Sequence, residues 1–146
     1  MDLLRLAAFD AEDLAVISAH LQDAALRVGD LTYVPHDHRF ALVARRFDWE
    51  SPPEEPPHRR LCGLHFDRVL RVRCRGIDRG NRDAALNLLG VTFVETDAPS
   101  GTATLLFEEG AAIQLDLECI EAQMKDLGPV FVCDKRPTHD ADVESA

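Results

Sequence analysis

The chain has 146 residues, 46% hydrophobic and 29% charged, with a formal charge of −10 at neutral pH. That length fits one domain, which buries roughly 68–70% of its unfolded surface and needs no staple, while the acidic balance argues against an extended nucleic-acid surface, because phosphate binding needs net positive faces. Cys62, Cys74, Cys119 and Cys133 form no C-x-x-C pair, so zinc ribbons and thioredoxin-type sites are not indicated, and Cys62, Cys74 and Cys119, which lie inside apolar segments, are expected to be reduced, largely buried thiols.

At the start, Asp2 and Arg5 break a short apolar run in a way that does not suit a signal peptide. Nothing downstream approaches the ~18 apolar residues of a membrane span, so a cytoplasmic location is expected. Asp10 ahead of Glu12 and Asp13 reads as an N-cap with acids in the first helical turn. Leu14, Ile17 and Leu21 form the apolar stripe of that helix, which should end before the β-leaning run Leu26 to Val28. Leu31 to Val34 and Phe40 to Trp49 read as a hairpin around the turn Pro35 to His38. In the second strand Phe40, Leu42 and Ala44 share a face with Arg46 and Asp48, while Ala41, Val43, Phe47 and Trp49 share the other with Arg45, so the inward face stays open.

Four prolines between Glu50 and His58 make an exposed, extended loop. Leu61 to Arg75 reads as a second hairpin broken near Asp67 and Arg68. Gly76 to Arg82 is a polar turn, Leu86 to Glu95 a strand, and Thr102 to Glu108 returns with Ala103, Leu105 and Phe107 on one side. Glu109 and Gly110 then turn tightly into Ala111 to Gly128. Up to Glu118 that stretch has period two, with Ile113, Leu115 and Leu117 on one face; beyond it Ile120, Met124 and Leu127 fall at i, i+4 and i+7, and Gly128-Pro129 supplies a stop. The spacing predicts a strand running into a closing helix.

The expected architecture is therefore α+β: about seven strands in a meandering antiparallel sheet or partial barrel, of pleckstrin-homology type or flatter, with an N-terminal and a C-terminal helix. One globular domain should span 1–133, with a disordered tail over 134–146.

The segments ISAHLQDA from Ile17, RFDWE from Arg46, RGIDR from Arg75 and ECIEAQMKDLGP from Glu118, in this order and spacing, resemble a family of small bacterial proteins classed as a domain of unknown function. The resemblance implies no activity, cofactor or catalytic residue.

Candidate chemistry is sparse. His36 and His38 have the spacing of a metal-binding pair but read as exposed turn residues. Cys62 and His65 lie three apart, which in a strand places them on opposite faces. Asp116, Glu118 and Glu121 show no pattern of acid-base work, and no G-x-S-x-G, phosphate loop or H-E-x-x-H occurs.

The arginines are segregated. From Arg59 to Arg82 eight of them face only Asp67 and Asp78, a net of +6 that leaves −16 elsewhere. Arg71, Arg73 and Arg75 alternate with Leu70, Val72 and Cys74, forming a guanidinium row; with Arg68, Arg79 and Arg82 they make the candidate anion- or partner-binding site. The competing reading is a solvated face answered across the sheet by Asp116 and Glu118. The sequence thus points to a non-enzymatic binding or protein-interaction domain using a basic sheet face, taking an acidic protein or a small anionic ligand, with no cofactor, metal or catalytic residue. The alternative is a small enzyme acting on an anionic molecule in a cleft beside the row.

Overall fold

A computed structural model describes residues 3–50, 54 and 56–132, the last four by backbone only. The tail expected over 134–146 and residues 51–53 and 55 of the proline loop lie outside those residues.

Helix α1 (Ala11–Leu21) begins as its sequence dictates: the Asp10 carboxylate accepts from the Asp13 N–H at 2.8 Å. Its buried stripe is Leu14, Ile17 and Leu21, laid against β1, β4 and β7. The extended elements are strands of one sheet, joined by turns and three short 3-10 segments at Val28–Asp30, Pro35–Asp37 and Glu108–Gly110. The strands are β1 (Arg5–Ala8), β2 (Ala24–Arg27), β3 (Leu31–Val34), β4 (Arg39–Phe47), β5 (His58–Phe66), β6 (Val69–Arg75), β7 (Ala85–Glu95), β8 (Gly101–Phe107), β9 (Ala112–Leu117) and β10 (Ala122–Val132). They lie antiparallel in the order β1-β10-β5-β4-β2-β7-β8-β9-β6, with β3 against β4 beside β2.

The described residues form ten strands, not about seven, and the expected closing helix is absent from them: residues 122–132 form β10. Ile120, Ala122, Met124 and Asp126 are all buried, whereas Gln123, Lys125 and Leu127 are exposed, so the period of two carries through. The strand lies between β1 and β5, with Met124 opposite both Leu6 and Leu64. A barrel capped by a C-terminal helix is excluded with it. The hairpin expected over Leu61 to Arg75 is also absent, although its break is placed correctly: β5 pairs with β4 and β10, whereas β6 pairs with β9 at the far end of the sheet. The hairpins β3-β4, β7-β8 and β8-β9 form as the alternation implies. Glycine is required at 101, where any β-carbon would overlap the Phe93 ring.

In β4 the inward face is the one that carries Arg46 and Asp48, both buried with Phe40, Leu42 and Ala44. One continuous core joins this face to Leu64, Phe66, Leu88, Leu105, Ile113, Leu115 and the helix stripe.

The sheet curls without closing. The Val69 N–H donates to the His38 carbonyl at 2.9 Å and the Gly29 N–H to that of Arg82 at 2.8 Å, so β3 and β6 face each other across a slot bracketed by these bonds.

Candidate functional site

Alternation along β6 sends Arg71, Arg73 and Arg75 to the outer face, and the register sets them beside Asp116, Gln114 and Ala112 of β9. The row continues onto β8, since Gln114 lies opposite Thr104 and Asp116 opposite Thr102. Arg73 Nη2 reaches Asp116 Oδ1 at 2.6 Å, and the Thr102 hydroxyl donates to the same oxygen at 3.2 Å. Both ionic partners are well exposed, at 42% and 31%, which limits the pair to about 0–1 kcal/mol. Arg71 and Arg75 make no side-chain hydrogen bond or ion pair among the described residues. Beside Arg73 and Arg75 lies a shallow recess of about 100 Å³ lined also by Thr104, Ala112 and Gln114.

The other three arginines go elsewhere. Arg68, in the left-handed region at φ 62°, meets Glu121 at 3.3 Å and Glu118 at 3.7 Å, which raise its pKa. Arg79 and Arg82 line the β3-β6 slot instead. The basic segment therefore splits into an outer row and a separate pair. Asp116 answers the row as expected, but Glu118 answers Arg68.

The remaining candidates fall out on geometry. His36 and His38 are exposed, and the His38 Nδ1 lies 3.3 Å from the Val69 carbonyl. Cys62 points into the core, where burial pushes its thiol up to about 12 against the pull of the Arg46 charge. His65 faces outward, 3.5 Å from Asp67. Cys74 is exposed rather than buried, because much of β6 stands clear of the core. Among the described residues no group of three or more His, Cys, Asp or Glu side chains is arranged to hold a metal, and no helix is long and apolar enough to cross a membrane.

Sequence reasoning missed one charged cluster. Arg46 Nε and Nη2 donate to the two carboxylate oxygens of Asp126 at 2.8 and 2.9 Å, with side-chain exposures of 2% and 1%. Burial disfavours both charges, but their mutual bonds and the Leu4 N–H on Asp126 outweigh it, so Arg46 is raised and Asp126 lowered. Arg60, directly across from Arg46, donates to Asp48 at 2.9 Å. The placing of Arg46 and Asp48 on an otherwise apolar strand face was the only signal for this cluster.

Fold and site together define an open antiparallel-sheet protein, with one α-helix among the described residues, whose edge strand is basic on its outer face. The chain belongs to the DUF2948 family, described as a protein of unknown function, whose profile matches residues 4–139. No curated protein and no solved structure gave a match.

Proposed function

We propose that this is a non-enzymatic interaction domain of the cytoplasm that presents the outer face of β6 to an acidic protein segment. The observation that supports this is that Arg71 and Arg75 flank Arg73 without any acidic partner among the described residues, although the chain carries a charge of −10. Neighbouring guanidinium groups on one strand face repel each other, and carboxylates of a partner relieve that repulsion through charge-assisted, bidentate bonds. Asp116 already neutralises the middle arginine, which spaces the two free ones along the strand. Thr104 and Gln114 add uncharged polar groups beside the row.

The test titrates the full chain with a fluorescent oligoglutamate peptide at low and raised salt. Binding should weaken with salt and be lost in the double variant Arg71→Glu, Arg75→Glu, with little change in stability because neither guanidinium makes a hydrogen bond or ion pair among the described residues. Absence of binding by the unaltered chain, or equal binding by the variant, would overturn the reading.

A further inference from the structure

We propose that the slot between β3 and β6 binds a small amphipathic organic anion, an apolar or aromatic body carrying one carboxylate. The site is independent of the outer row and uses none of Arg71, Arg73 or Arg75.

The walls come from the topology. β3 pairs only with β4 and β6 only with β9, so the edges turned towards each other carry backbone donors and acceptors that no strand satisfies. Bonds at the two ends, His38 to Val69 and Gly29 to Arg82, hold the edges in this relation. The floor is the core itself. Phe40 and Ile113, buried to 3% and 0% exposure, reach the slot beside the half-buried Tyr33, Val72 and Ile77. The apolar surface left for a ligand to cover is that of the half-buried Leu31, Tyr33, Val72 and Ile77, since Phe40 and Ile113 are already out of water.

Charge comes from Arg79 and Arg82. Arg79 has no ionic or hydrogen-bonded partner among the described residues, and Arg82 donates only to the Gly29 carbonyl, at 3.3 Å. Among the described residues neither Asp78, next to Arg79, nor Asp83, next to Arg82, forms an ion pair with them; Asp78 accepts from the Gly80 N–H and lines a neighbouring cavity. The Tyr33 hydroxyl, also without a hydrogen bond among the described residues, adds a neutral donor.

Size narrows the ligand. The slot holds about 230 Å³, the room of roughly seven or eight waters at about 30 Å³ each. That suits a short aliphatic or single-ring acid. Inorganic phosphate would satisfy the arginines but leave the half-buried Tyr33, Val72 and Ile77 wet, and a neutral alcohol the reverse, so only a molecule with both parts uses the whole site.

The experiment follows Tyr33, the chain's one tyrosine, by NMR in the full chain, and alkylation of Cys74, which also lines the slot, by peptide mapping. Benzoate and hexanoate should shift the Tyr33 ring signals and slow Cys74 alkylation; inorganic phosphate and benzyl alcohol should do so at least tenfold more weakly. The double variant Arg79→Ala, Arg82→Ala should lose benzoate affinity by tenfold or more, and Val72→Trp, which fills the slot, should abolish binding. Since both arginines are exposed, the first variant decides even where the second folds poorly. The double variant Arg71→Glu, Arg75→Glu should bind benzoate unchanged, which separates this site from the outer row. The proposal is overturned if neither acid perturbs Tyr33, if the Arg79, Arg82 variant binds as before, if phosphate alone binds equally well, or if the outer-row variant loses the acid.

Discussion

Replacing Asp126 with alanine leaves Arg46 as an uncompensated charge inside the sheet. The two groups share two bonds of 2.8 and 2.9 Å, expose 2% and 1% of their side chains, and have Cys62 and the Leu4 backbone rather than water around them. Breaking one side of such a pair costs about 3–5 kcal/mol, against about 0–1 for an exposed pair. For a chain of this length about 4 kcal/mol lowers Tm by roughly 10 °C or more. Urea unfolding followed by far-UV circular dichroism should show the midpoint falling at constant m. The double variant Arg46→Met, Asp126→Leu removes both charges and keeps the volume filled, so it should recover most of the loss or exceed the starting stability. A loss below about 1 kcal/mol in Asp126→Ala, or a double variant as unstable as the single, would refute the reasoning.

Acid should act through the same group. Because Asp126 is held below its ordinary value of 3.8 when folded, its stabilisation is complete above about pH 4 and fades as pH falls through the lowered value, so unfolding free energy should drop in that window and the Arg46→Met, Asp126→Leu variant should lack that component. The strand assignment of β10 predicts that Met124→Asp, at 0% exposure, destabilises by several kcal/mol while Leu127→Asp, at 41%, changes stability by less than about 1 kcal/mol; equal effects by thermal denaturation would restore the helix. Iodoacetamide at pH 8 should modify the exposed Cys74 and spare Cys62, whose thiol lies near 12, as peptide mapping of the native protein will show.

How much of this was legible in the sequence depended on whether the determining partner was near in the chain. α1 was readable because its cap, acids and stripe lie within twelve residues of Asp10, and β8 and β9 because clean alternation needs only one buried face. β10 was misread because its inward face carries Asp126, whose partner Arg46 is 80 residues away. Without that partner a charge at the strand's inward position looks like an error of period, and Ile120, Met124 and Leu127 offer a helical pattern in its place. β1 and β2 are four residues long and pair with strands not adjacent in sequence, whereas the equally short β3 was marked by the Pro35 to His38 turn that joins it to its partner β4. The row Arg71, Arg73, Arg75 was visible as a face, but which acids meet it is a matter of strand order. The slot was not visible at all, since its two walls become neighbours only through the curl of the sheet.

The arrangement of β5 and β6 has a consequence for how the chain reaches this structure. They are separated by only Asp67 and Arg68, the latter already left-handed at φ 62°, so a local β5-β6 hairpin is the cheapest early pairing open to a nascent chain. It is non-native. β5 instead takes β10 as its second neighbour, and β10 is the last of the described strands to be made. Until then one edge of β5 has no correct occupant, while β1 waits from the other end of the chain for the same strand. A β5-β6 pairing, were it to form early, would compete with the β10-β5 pairing of the finished sheet, whose register shifts at the bulge between Asp126 and Val130.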